Sequence, residues 1–301
     1  MHCLVTGGAG FIGSNLALEL EQQGHDVIVA DNFRTGVMEN LQEFHGHVLD
    51  LDVSRAFAID DSLDAIFHQA AITDPREPDD DETFRNNLEG FQRIIDLTLA
   101  KNAPLIYASS ASLYGNGPAP QQEDQDKHLM SAYAESKLRM DEIAEDLFDS
   151  MHIVGLRYFN VFGPREAHKG RPASMIYHLT RQMKAGRRPR IFWDGEQKRD
   201  HIYVMYCVRA NFIALEGPSG VYNVGTGVAT SFNQLVDYLN DALGTDLEPD
   251  YFDNPYTGTY QDDTQAETTR AREVLGFEAQ YSVPDGLREY VPSIEPLESG
   301  A

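Results

Sequence analysis

A doubly wound parallel α/β sheet with a smaller C-terminal lobe is the fold class that this sequence predicts. Three features predict it. A glycine-punctuated strand, turn and helix opens the chain. Short apolar runs then alternate with segments of helical spacing as far as residue 159. After Gly163 the pattern loosens and its elements become mixed.

The first strand is Cys3 to Thr6, in "HCLVTGGAGFIGSNLALELEQQGHDVIVADN". Gly7, Gly8, Gly10 and Gly13 follow, then Leu16, Ala17 and Leu20 at helical spacing, with Gly24 closing the helix. Val27 to Ala30 is the next buried strand, and Asp31 ends it. The order has a chemical meaning. Turn glycines let backbone amides approach a pyrophosphate, the helix N-terminus stabilises its charge, and Gly13 permits close helix–strand contact. A carboxylate at Asp31 can hold both hydroxyls of an adenosine ribose. The stretch therefore predicts a dinucleotide site in a Rossmann-like fold.

Four further strands are expected at 47–53, 65–71, 104–110 and 153–159. A helix at 84–100 lies between two of them, with Leu88, Phe91, Ile95 and Leu99 on one side. In such sheets ligands bind at the carboxyl ends of the strands, where Ser109, Ser110 and Asn160 fall. Beyond Gly163, helices are expected in "ASMIYHLTRQMKAG", "SFNQLVDYLNDALG" and "TQAETTRAREVLGF", with a strand pair or strand and loop in "RPRIFWDGEQKRDHIYV". Phe192 and Trp193 are expected in core or interface packing. The chain then divides into a dinucleotide-binding part, 1–162 with about 200–225, and a substrate lobe, 163–199 and 226–301. The helices at 84–100 and 132–148 are the expected interface of a homo-oligomer.

"SAYAESK" puts Tyr133 and Lys137 four residues apart on one helix face. A free tyrosine has a pKa near 10 and is a poor base at neutral pH. A nearby ammonium, with the positive nicotinamide of an oxidised cofactor, favours the phenolate. Such a tyrosine can remove a hydroxyl proton while the carbon gives hydride to the cofactor. Ser110, ending a strand, can hydrogen-bond the same oxygen.

With these residues in place, the sequence resembles the extended short-chain dehydrogenase/reductase family of nucleotide-sugar epimerases. The match runs through "TGGAGFIG", "FHQAA", "YASSASLYG", "YAESK", "RYFNVFGPRE" and "YNVGTG". "RYFNVFGPREAHKG", "ASMIYHL" and "GEQKRD" look most like the ADP-glycero-manno-heptose 6-epimerases. Relatives that dehydrate or decarboxylate carry an acid just after the strand-end serine. This chain has Ala111 and Ser112 there, so the expected reaction is epimerisation by transient oxidation and re-reduction of a carbinol. The alternatives are a UDP-hexose 4-epimerase and, more remotely, a non-catalytic cofactor-binding sensor.

The resemblance implies a nicotinamide cofactor on Gly7, Gly10, Phe11, Ile12 and Gly13 of the turn, and on Asp31, Asn32 and Arg34. It adds Asp52 and Val53, Gln69, Ala70 and Ala71, and Asn86, Tyr133, Lys137 and Val161. It implies substrate contacts at Ser110, Asn160, His178, Arg199 and Tyr260, with Arg199 on the diphosphate. Lys169 matches a second acid/base, the other reading being a cation that only binds substrate phosphate or cofactor. The catalytic set is thus Ser110, Tyr133, Lys137 and Lys169. Three departures stand out: Met38 replaces a lysine linked to the NADP phosphate, Arg171 a small polar residue, and Tyr206 an acid. Only Arg34 and Arg55 could meet a 2′-phosphate, and Asp31 disfavours one. The cofactor expected is NAD, with NADP the alternative.

Composition sets outer limits. Lys plus Arg is 24 against 48 for Asp plus Glu, a formal charge of −24. Self-repulsion of that size is relieved when salt screens it, which suggests adaptation to a salty cytoplasm. Phosphates would be repelled, so a nucleic-acid partner is not expected. No run of about 18 apolar residues suggests a membrane span. The opening "HCLVTGGAG" carries no signal-peptide pattern, so a cytoplasmic location is expected. Cys3 and Cys207 form no metal spacing and are expected as buried thiols, and no metal site is expected.

Overall fold

The computed structural model describes residues 1–74, 79–255 and 261–298. Strand β1 (His2–Thr6) leads through helix α1 (Phe11–Gln22) to β2 (Asp26–Asp31), and β3 (His47–Asp50) follows. β4 (Ala65–His68) lies on the other side of β1. Helix α2 (Asp80–Lys101) connects it to β5 (Leu105–Ser110), and α3 (Ala132–Glu145) connects β5 to β6 (Ile153–Tyr158).

The second half begins with β7 (Asn160–Phe162), α4 (Met175–Lys184), β8 (Arg190–Phe192) and β9 (Lys198–Tyr203). Then come α5 (Val204–Ala214), β10 (Gly220–Val224), β11 (Ala229–Ser231), α6 (Phe232–Leu243), β12 (Asp250–Phe252) and α7 (Val283–Tyr290). The main sheet has seven strands in the order β10-β6-β5-β4-β1-β2-β3, and every pairing is parallel. The chain winds outward one way from β1 and the other way from β4, so the doubly wound switch lies between them.

Alternation along β1 shows how both faces are filled. Cys3 and Val5 join a core containing Leu16, Ala17 and Leu20 of α1. Leu4 joins the opposite core, with Phe91, Ile94 and Ile95 of α2 and Met140 and Ala144 of α3. β10 returns from the second half to pair with β6, as expected for residues near 200–225. β9 instead stands between β11 and β7 in a separate three-stranded sheet.

Several expectations need correction. Strands expected at 47–53 and 65–71 end at Asp50 and His68, and the residues after them turn into the cleft wall. α2 starts earlier than expected because the Asp79 side chain accepts the Glu82 amide at 2.8 Å, which makes the acidic run a helix cap. Its buried face runs through Asn87, Phe91, Ile94 and Thr98, so Leu99 falls on the rim and is 51% exposed. β8 and β9 do not pair with each other. A turn through Asp194 and Gly195, both at positive φ, sends β8 to β12 instead. Trp193 is 68% exposed and belongs to no core. The expected last helix is one π-type turn at Ala271–Leu275, and α7, capped by Ser282 and Asp285, went unforeseen. Cys3 and Cys207 are free and buried. Among the described residues no helix is long and apolar enough to cross a membrane, and no cluster of side chains could hold a metal ion.

Candidate active site

A cleft of about 600 Å³ lies over the strand ends, from the glycine turn past Ser110 to Arg199 on β9. A separate recess of about 460 Å³, walled by Glu39, Glu43, Arg165 and Tyr290, contains none of the sequence-derived catalytic groups. The main cleft is therefore the site.

Its cofactor end is built by absence of side chains. A Cβ on Gly13 would stand 2.2 Å from the Gly7 carbonyl oxygen, and one on Gly7 would stand 2.6 Å from the Ala70 amide nitrogen. The N-cap of α1 is Gly10, with no side-chain cap and no acid in the first turn, so those amides remain for an anion. Asp31 closes β2, 7% exposed, its two oxygens accepting the Ala9 and Phe33 amides at 2.9 Å each. Burial raises its pKa, against those amide bonds. Asn32, Asp52, Val53, Gln69, Ala70, Ala71, Asn86 and Val161 all line the same cleft, as do Phe11 and Ile12. This surface fits a dinucleotide, with the turn for its pyrophosphate and Asp31 for its ribose. Arg34 also lines it, but is engaged by Glu82 at 2.5 and 3.1 Å. Arg55 lies outside, largely exposed, 3.4 Å from Asp52.

In the middle of the cleft, Ser110 and Tyr133 are hydrogen-bonded through their side chains. The Lys137 ammonium lies 5.8 Å from the centre of the Tyr133 ring and donates to the Ala108 carbonyl at 2.7 Å. Burial depresses Lys137 to about 8, opposed by the Asp141 charge. The expected help from the ammonium is not what dominates Tyr133. Its pKa is raised, because burial outweighs the Ser110 hydrogen bond, so the pocket alone holds the phenol protonated.

Back beside the glycine turn, Lys169 follows Glu166, which is fully buried and accepts from the Ser174 amide at 2.6 Å, the Ser174 hydroxyl at 2.9 Å and the Gly163 amide at 3.2 Å. The Lys169 ammonium sits 5.4 Å from the centre of the Phe11 ring, next to the cofactor turn. Burial lowers its pKa, opposed by Glu166 and Asp74. Arg199 is held by the carbonyls of Lys198 and Asp262 at 2.8 and 2.9 Å, and by that of Gln261. Asn160 lines the cleft and accepts the Thr264 hydroxyl at 2.8 Å. His178 is not part of the wall. It lies a turn further along α4, its Nε2 3.3 Å from the Arg171 carbonyl. Tyr260 lies outside the described residues.

Residues 3–225 match the NAD dependent epimerase/dehydratase family. The ADP-L-glycero-D-manno-heptose-6-epimerase of Brachyspira hyodysenteriae is 37% identical over 310 residues, covering 97% of each chain. The chain belongs to this family of epimerases and dehydratases. The nicotinamide cofactor of the family is NAD, which the glycine turn and Asp31 fit. A crystal structure of the Helicobacter pylori ADP-L-glycero-D-manno-heptose-6-epimerase is similar with a TM-score of 0.91 and 35% identity, over 97% of this chain and 96% of that one. The Thermotoga maritima UDP-glucose 4-epimerase with UDP-glucose has a TM-score of 0.87 at 31% identity, over 97% and 98%.

Within this epimerase/dehydratase fold, the structure also explains Tyr206. Its ring meets Tyr281 edge-on at 5.4 Å, and the backbone of Gln280 and Tyr281 hydrogen-bonds it. An aromatic clamp on the C-terminal segment thus stands where the resembled enzymes have an acid. Met38 is 53% exposed in the turn Met38–Leu41 and supplies no charge. Three further groups escaped the sequence reading. His168 and His201 line the cleft, as does Arg171, already singled out in the sequence. Asp141, 1% exposed, accepts from Tyr107, Ser109 and Arg157. Only Asp141 had a signal, the step of four residues from Lys137.

Proposed function

We propose that this protein is a nucleotide-sugar epimerase of the ADP-glycero-manno-heptose 6-epimerase type, inverting a carbinol by oxidising it and reducing it again. The observation that carries the reading is that Ser110, Tyr133, Lys137 and Lys169 line one cleft with the dinucleotide turn. NAD supplies a hydride acceptor that later returns the hydride, and its positive ring favours the Tyr133 phenolate. Ser110 holds the substrate oxygen and Tyr133 takes its proton. Lys137 stabilises the phenolate. Lys169, a lysine of lowered pKa, is the second acid/base for an oxygen presented from a new direction. Arg199 and Asn160 hold the diphosphate sugar.

NAD is favoured over NADP on two grounds. Asp31 would repel a 2′-phosphate, and Glu82 already neutralises Arg34. The dinucleotide part is 1–162 with about 200–225, and 163–199 with 226–301 closes on the sugar. The protein works as a homo-oligomer through 84–100 and 132–148, and in a salty cytoplasm; its charge of −24 supports the second of these.

The second reading is a UDP-hexose 4-epimerase, favoured by Arg171 in the cleft wall where the heptose enzymes carry a small residue. Purified protein is to be incubated with ADP-D-glycero-D-manno-heptose and, separately, with UDP-galactose, and the products resolved chromatographically. Conversion of the heptose alone is expected. Conversion of the UDP-sugar alone would shift the assignment to the 4-epimerase. Tyr133→Phe should lose on the order of a hundredfold or more in turnover while still binding NAD. Full turnover in that variant would overturn the mechanism.

A further inference from the structure

Among the described polar groups lining the cleft, Gln69 and His201 each carry a buried side-chain atom without a hydrogen-bond partner, and of the two His201 stands beside Arg199. It is 4% exposed, yet its Nδ1 is buried without a hydrogen-bond partner among the described residues. Buried polar atoms are nearly always paired, and an unpaired one costs stability. Its position in the fold suggests what the residue is for. On β9 it lies two residues from Arg199, so both side chains leave the same side of the strand, and both line the cleft. Across the small sheet its backbone partner is Asn160, another cleft residue. The ring stands edge-on to Phe162 at 6.4 Å between centroids, which fixes its plane.

We propose that His201 is a substrate-contact residue, donating a hydrogen bond from Nε2 to an oxygen of the diphosphate sugar beside Arg199. Two considerations favour a donor at Nε2. A buried nitrogen with no acceptor nearby is better tolerated as a bare lone pair than as an orphaned N–H. That places the proton of the neutral imidazole on the other nitrogen. Burial and the Arg199 charge both disfavour the protonated ring, so His201 stays neutral at working pH. A neutral donor next to a fixed guanidinium suits an anionic oxygen without adding a second buried charge.

This inference rests on the nucleotide-sugar reading but can fail separately. The informative variant is His201→Phe, which keeps a ring of similar size and removes both nitrogens. Binding of ADP and of UDP to the NAD-loaded protein is measured by calorimetry, together with KM, kcat and the melting temperature. Affinity for the diphosphate and KM for the sugar nucleotide are expected to worsen about tenfold or more, as for a lost hydrogen bond to a charged group. The expected kcat changes less than about twofold, since no transition-state charge is touched. The melting temperature should hold or rise, because an unpaired buried nitrogen has been removed. His201→Gln, which restores an N–H, should recover part of the affinity and covers the case in which phenylalanine does not fold. Unchanged affinity in a folded variant would overturn the proposal and leave His201 a packing residue. If the wild type turns over neither sugar, the functional reading fails while ADP and UDP binding still judges His201.

Discussion

Replacing Asp141 with asparagine should unfold the centre of this enzyme's machinery from behind. Asp141 Oδ1 accepts the Tyr107 hydroxyl at 2.9 Å, while Oδ2 accepts the Ser109 hydroxyl at 3.0 Å and Arg157 Nε at 2.9 Å. The side chains of Arg157 and Asp141 are 3% and 1% exposed. An asparagine presents one acceptor and one donor to these three donors, so one orientation of the amide sets its nitrogen against Arg157 and the other makes the Tyr107 hydroxyl turn to accept. It also leaves a guanidinium buried without its counter-charge. Breaking one partner of a buried pair costs roughly 3–5 kcal/mol, a large part of the 5–15 kcal/mol that holds a typical domain folded. At about 2–4 °C per kcal/mol, the melting temperature should fall by about 6–20 °C. Circular dichroism, in heat and in urea, is the assay. A functional readout accompanies it. The Asp141 charge raises the Lys137 pKa against burial, so its loss should push Lys137 below its value of about 8. The pH profile of turnover should move to lower pH. A loss under about 1 kcal/mol with an unmoved profile would refute the reasoning, since the Tyr114 hydroxyl and the Glu123 carbonyl would then suffice for Arg157.

Two more predictions concern the solvent. His68 and His201 are both buried and depressed to about 3, mainly by burial, with Lys137 and Arg199 adding to it. The unfolded chain therefore binds more protons than the folded one between the ordinary value of 6.5 and about 3. Stability is complete above that window and falls as the pH drops through it, by up to about 1.4 kcal/mol per pH unit for each histidine. Because Asp31, Glu123, Glu166 and Asp200 are raised and act the opposite way, the check is His201→Phe, whose urea midpoint should fall less than the wild type's between pH 7 and pH 5; an equal fall would contradict this. The charge of −24 should make the protein more stable as salt screens it. Melting temperature should rise as potassium chloride is raised from about 0.1 M, where the screening length is about 10 Å. A flat or falling curve would remove the case for a salty cytoplasm.

Where the site was legible in the sequence, the chemistry was local. Gly13 had to be a glycine because the turn's own Gly7 carbonyl crowds it, and that requirement appears directly as residue type. Tyr133 and Lys137 share a face because helical spacing fixes it. Misreadings arose where distant segments decide. Leu99 looked buried by period, but the packing of α2 centres on Phe91 and leaves it on the rim. Trp193, expected in core or interface packing, lies outside the core, exposed beside a two-stranded sheet whose other strand comes from residues 250–252. Burial also raises the Tyr133 pKa against the Ser110 hydrogen bond, and no motif reports burial.

The sequence by itself determined the parallel sheet, the dinucleotide turn, the shared face of Tyr133 and Lys137 and the family likeness, because each rests on neighbours within one or two turns of chain. Only the tertiary structure decided that Arg34 is engaged by Glu82, that the Asp141 charge supports Lys137 and that His201 lines the cleft with its Nδ1 unpaired among the described residues. Those depend on contacts between segments far apart in sequence. Burial and charge act through space, and a linear pattern carries neither.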